Sequence, residues 1–279
     1  MSAFGTVGKA VAALGMGTLA ALVAVKVRDD RHVDEIWRSL EQSGTTGELF
    51  SEGMVSALPD PARRYFLHAI RPGTPLAPRV HVGYHGSMKP GRQMPWMSLA
   101  VEQIVAKERG FVWKATARSG PLILTAADRF LDGNGRMRIA LFGLIPVVNA
   151  TGPDLSRSAL GRLLIESLLL PSTLLPGPNV QIEGIDESRF KATVRLHGEA
   201  TPLTLTVDPE GRLKEIAMNR WGNLTEEGSY QYIPYGATIA EEATFGGYTV
   251  PSWISVGWWY GTDRYEEAIR LELDWAEMW

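Results

Sequence analysis

The feature that most constrains this chain is a strict alternation of apolar and polar side chains in several short runs. Phe111, Trp113, Ala115 and Ala117 alternate with Val112, Lys114, Thr116 and Arg118, so one strand face carries aromatic and small apolar groups and the other carries charges. Phe190, Ala192, Val194 and Leu196 alternate in the same way with Lys191, Thr193, Arg195 and His197, as do Leu203, Leu205 and Val207 with Thr204 and Thr206. Runs of this kind predict half-buried strands in an antiparallel sheet. The segments Asp132-Gly133-Asn134-Gly135 and Asp208-Pro209-Glu210-Gly211 supply residues that tolerate positive φ, as tight hairpins require. The spacing predicts about ten strands after Pro78, connected by hairpins rather than by helical crossovers. The expected fold is mainly β: a curved antiparallel sheet, half-barrel or barrel, with covering helices.

Three segments break the alternation. Asp60 before Pro61 reads as the N-cap of a helix over residues 61–70, with Tyr65, Phe66 and Ala69 facing the core and Arg71-Pro72-Gly73 ending it. Residues 154–176 place Leu155, Ala159, Leu163 and Leu160, Leu164, Leu168 on one apolar face, so an amphipathic lid helix is expected there, stopped by Pro171. Such a helix must cover a sheet face to bury its leucines.

The third segment is N-terminal. Residues 10–25 carry no charge between Lys9 and Lys26, and as a helix they would cover about 24 Å, against ~30 Å of bilayer hydrocarbon. Val27 and the lysine stems extend that reach. A transmembrane or signal-anchor helix is the leading expectation, and a cleaved signal peptide and a soluble helix are the alternatives. Lys26, Arg28 and Arg31 after the run and Asp29 and Asp30 among them leave the side of the membrane open. Val33, Ile36, Trp37 and Leu40 continue with helical spacing, as an amphipathic extension expected near the membrane surface. Gly44-Thr45-Thr46-Gly47 reads as a linker, which divides the chain into an anchor with its extension, 1–44, and one β domain, 45–279, containing the lid.

Composition narrows the function. With 28 Lys and Arg against 31 Asp and Glu, and no basic stripe interleaved with aromatics, no nucleic-acid partner is implied. The chain has no cysteine, which excludes disulfides, thiolate nucleophiles and Cys-ligated metals. The phosphate-loop, dinucleotide, nucleophile-elbow and zinc-protease signatures are absent, and no cofactor is implied.

LPDPARRY at 58–65, Glu102-Gln103 leading to Phe111-Val112-Trp113, the Leu-Pro-Ser-Thr-Leu-Leu core within 166–175, and FGGYTVP at 245–251 together carry a resemblance. The chain resembles a bacterial family of domains of unknown function whose members often follow an N-terminal apolar segment. The resemblance covers most of the chain from about Gly53 and implies no catalytic residue. More loosely, the expected sheet is similar in shape to lipoprotein-carrier folds that hold acyl chains, and shape alone does not fix function.

Candidate site residues follow from chemistry and placement. His81 and His85 share a strand, and four residues of strand separate them by roughly 13 Å, too far for one zinc ion, so no metal site is predicted. Glu102 lies in the alternation Ala100, Glu102, Ile104, Ala106, whose apolar members predict an inward carboxylate with a raised pKa. Asp128 and Glu166 are candidate partners in acid–base work if they converge with it. Glu166 also stands four residues after Arg162, where an ion pair accounts for it. Trp113, Leu168 and Trp258 complete the set of candidate ligand contacts, and adjacent Trp258 and Trp259 are expected on opposite strand faces. Two functions from different classes follow: a membrane-anchored protein binding a lipid-like or other apolar small molecule in a β half-barrel, and an enzyme on a lipid or isoprenoid-like substrate. A structural or partner-binding role, with protein partners unspecified, is the third.

Overall fold

The computed structural model describes residues 3–42, 44, 47–91 and 94–279, with side chains described from Leu19 onward. Thirteen strands form one antiparallel sheet: β1 (Arg79–Met88), β2 (Met97–Ala106), β3 (Gly110–Ser119), β4 (Leu122–Leu131), β5 (Asn134–Leu141), β6 (Ile145–Thr151), β7 (Val180–Gly184), β8 (Arg189–Leu196), β9 (Glu199–Val207), β10 (Leu213–Gly222), β11 (Gln231–Phe245), β12 (Tyr248–Trp258) and β13 (Glu266–Met278). Their spatial order, β6-β5-β4-β3-β2-β1-β13-β12-β11-β10-β9-β8-β7, consists of two meanders joined where β1 pairs with β13. The sheet is open, with β6 and β7 at its edges, so the half-barrel rather than the closed barrel describes it. The two-residue turn Asp132-Gly133 has φ of 46° and 90°, the left-handed geometry expected of that hairpin.

Three α-helices pack on this sheet among the described residues: α1 (Ala3–Glu41), α2 (Asp60–Ala69) and α3 (Pro153–Ile165). α2 begins one residue earlier than its proline suggests. Pro59 occupies the N-cap without a side-chain bond, while the Asp60 carboxylate accepts from Arg63 and Arg64 at 2.7 Å each. α3 is shorter than the expected 154–176: it ends at Ile165, and two 3-10 turns, Glu166–Leu169 and Pro171–Leu174, carry the leucine strip onward. Pro171 opens the second turn, where its missing N–H costs nothing. Trp259 falls just after β12 in a left-handed turn, with φ of 56°, so it does not oppose Trp258 across a strand.

The outer face of the sheet is covered too. Val33, Ile36, Trp37 and Leu40 of α1 are buried against Ile104, Ala106 and Val112, so the apolar face of this stretch packs on the sheet. Consequently β3 is buried on both faces over its first part, not only on one. Among the described residues no helix is long and apolar enough to cross a membrane. Side chains 10–18 of the uncharged run, and Thr45 and Thr46 of the expected linker, lie outside the described residues.

Candidate functional site

The concave face forms a trough whose two halves differ. α3 enters one half through a close approach at Gly135, where a Cβ would stand 2.9 Å from the Ser156 backbone. The Gly135 N–H donates to Ser156 Oγ at 2.9 Å. The helix spans both meanders: the Arg220 guanidinium of β10 donates to the Ser158 carbonyl at 3.0 Å, and Arg157 pairs with Glu199 of β9 at 2.7 Å. Leu160, Leu163, Leu164, Leu168, Leu169 and Leu170 then fill this half with a solid core. Leu168 is therefore a packing residue.

A buried polar layer borders the plug. Arg162 donates to Asp128 at 2.6 Å and to Glu166 at 2.7 Å, the second being the i,i+4 pair that the spacing suggests. Gln103 donates to the other oxygen of Glu166 at 2.6 Å. The Arg162 guanidinium also lies 4.8 Å from the ring centres of Phe111 and Trp113. Burial opposes the charge on Arg162, yet Glu166 and Asp128 beside it hold its pKa above the ordinary guanidinium value. Burial likewise pushes the Glu166 carboxyl above the usual carboxylate range, against the pull of Arg162. Burial also drives the Tyr84 phenol well up, and the charge of Glu166 adds to that shift. Next in the layer, Arg220 lies over Tyr235 and Trp258 at 4.7 and 5.1 Å.

Beyond this layer the trough is empty. Met88, Ala115, Ala117, Leu124, Met137 and Trp258 are among the residues around a cavity of about 480 Å³, lined mostly by apolar groups. That volume lies within the range of small-molecule pockets. Lys89, Glu266 and Glu267 stand at its rim. A larger hollow of about 750 Å³ lies on the outer face under α1, but Asp29, Asp34, Glu102, Lys114 and Arg138 line it. An apolar molecule entering that hollow would strip water from charges with little return.

The structure thus brings Trp113, Asp128 and Glu166 together and sets Trp258 between their layer and the cavity. It separates Glu102 from them. The Glu102 side chain is half exposed on the outer face, accepting from or pairing with His81 Nε2 at 3.1 Å, whereas Gln103 is the inward residue of β2. The apolar neighbours Ile104 and Ala106 suggest an inward face because α1 buries them from outside. His85 pairs with Asp274 and Glu272 at 2.6 and 3.3 Å rather than with His81. Gln103, Arg220 and Tyr84 were not among the expected site residues. The alternation Val101, Gln103, Val105, with an amide between two valines, is the signal that could have found the first.

Residues 48–269 match the profile of a family of unknown function, DUF6544. The chain belongs to this family. No curated protein matches it. Among solved structures it is similar to a putative outer membrane lipoprotein-sorting protein domain from Vibrio parahaemolyticus, at 7% identity and a TM-score of 0.38, over 72% of this chain and 85% of that one. A DUF1329 family protein from Desulfovibrio piger is 8% identical with a TM-score of 0.41, over 72% and 86%. A LolA superfamily protein from Nitrosomonas europaea is 9% identical with a TM-score of 0.40, over 78% and 92%.

Proposed function

We propose that this protein binds an apolar, lipid-like molecule in the open half of its trough and is held at a membrane by its uncharged N-terminal run. One observation carries the reading: a cavity of about 480 Å³ lined mostly by apolar side chains lies beside the half of the same face that the leucines after Ser158 fill. An apolar molecule seated there would supply the dispersion contacts that the lining side chains lack. The rim charges Lys89, Glu266 and Glu267 leave room for a polar end of the ligand at the surface.

The test is native mass spectrometry of the full chain purified in mild detergent, paired with Ala126→Phe. Ala126 lines the cavity, so the larger ring should occupy ligand space while the fold is kept. A co-purifying amphiphile that Ala126→Phe excludes supports the reading, and the same bound mass in both proteins overturns it. Catalysis on a lipid-like substrate is the second reading, favoured by the raised pKa of Glu166 beside Tyr84. It predicts that Glu166→Gln abolishes turnover of a bound ester and leaves binding intact.

A further inference from the structure

Where α1 leaves the sheet, and what rims the cavity at that end, point to a shared orientation. α1 crosses the outer face obliquely toward the β5–β6 edge, with Trp37 against His81 of β1 and Asp29 paired with Arg129 of β4 and Arg136 of β5. Ser39 near its C-terminal end accepts from Arg109 at the start of β3, Asp34 pairs with Lys114 in mid-strand, and Lys26 lies beside Gly143 in the β5–β6 turn. Residues before Lys26 therefore depart at the corner of the sheet formed by its β6 edge and the β5–β6 turn. Leu19, Val23 and Val25 are exposed there.

The ladder places the cavity mouth at this same end. Leu124 pairs with Leu141, Met88 with Met97 and with Ile269, and all lie in the last residues of their strands toward the β5–β6 turn. Large apolar side chains project from the loops around that mouth: Phe142 and Ile145 at the β5–β6 turn, Met94 beside Gly91, Leu224, and Tyr265. Phe142 is 55% exposed and Ile145 48%, and with Met94, Leu224 and Tyr265 they gather at one end of the sheet, where a cluster of exposed apolar groups marks an interaction surface.

We infer that the loops around the mouth rest in the surface of the lipid bilayer, so that the cavity opens toward the membrane. This rests on the membrane reading above and adds the orientation of the site. The contact is apolar rather than electrostatic: Lys89 and Arg264 at the mouth are offset by Glu226, Glu266 and Glu267, so no cationic excess faces the lipid. A zwitterionic phosphatidylcholine bilayer is the stated partner.

The absence of cysteine makes the test direct, because one introduced thiol takes one environment-sensitive fluorophore. Full-length Phe142→Cys, Ile145→Cys and Ile185→Cys, each labelled, are reconstituted into phosphatidylcholine vesicles containing lipids brominated in the acyl chain. Ile185 is 48% exposed in the β7–β8 turn beside α2, away from the mouth, and serves as the matched control. Labels at 142 and 145 should be quenched at least about twofold more than the label at 185, with no relief at high salt. Equal quenching at all three positions in vesicle-bound protein overturns the orientation and leaves the anchor standing. Quenching abolished by salt also overturns it. A chain that does not float with the vesicles overturns the anchor and the orientation together, and leaves ligand binding to the mass-spectrometric test.

Discussion

The two halves of the trough are built from the same strands yet behave as opposites. Under α3, β3 presents Phe111 and Trp113 and β4 presents Phe130 and Asp128, all buried. Farther along the same faces β3 presents Ala115 and Ala117, and β4 presents Ala126 and Leu124, around the cavity. β3 thus steps from large to small side chains along one face, and the small Ala126 of β4 stands opposite Ala115 at the step. A cavity in this fold is specified by residue volume along a strand, and needs no change in the backbone that carries it.

Removing the charge that ties the plug together should break this comparison most. Arg162→Leu would leave Asp128 and Glu166 buried without their partner, and should cost about 3–5 kcal/mol in chemical denaturation. An unchanged denaturation midpoint would mean that the polar layer does not hold α3 in place. Leucine truncation sharpens the contrast between halves. Leu168→Ala should cost about 2–5 kcal/mol, because Leu168 is buried in the plug. Leu124→Ala, at the open cavity, should cost about 1 kcal/mol or less, since that side chain already borders empty space. Equal losses at the two sites would show that the halves are packed alike.

The smallest effect is expected from Glu166→Gln, and its sign depends on pH. Burial raises the folded-state pKa of Glu166 above its unfolded value. The folded state therefore holds this proton longer, and the parent protein loses the associated stability as pH rises through the raised pKa. Glutamine does not titrate, so the variant should gain relative to the parent as pH rises from acid to neutral. Thermal melts that keep a constant offset across that range would contradict the raised pKa.

Much of this architecture is legible in the sequence because period-two alternation survives wherever one face meets the core. Phe111 to Ala117 even contains the large-to-small step that frames the cavity. What misleads is the second covering layer. The apolar side chains Ile104 and Ala106 mark contact with α1, so the alternation around Glu102 points to the wrong face. The polar layer is less legible for a different reason. Arg162 and Glu166 are close in sequence, but their meeting with Asp128 and Gln103 depends on where α3 lands, and no local pattern encodes that. The thirteen strands exceed the expected number because edge strands such as β6 and β7 are short or exposed, with weak alternation.

The pairing of β1 with β13 also sets an order of events during synthesis. β1 has one neighbour, β2, soon after it is made, whereas its other side stays unpaired until the final described strand emerges. Until then the two meanders are separate units, and the edge of β1 is open to wrong strands. Contacts this remote in sequence are slow to form, so the joining of the meanders should limit the folding rate. Nascent chains halted before β13 would then be the form most dependent on a chaperone.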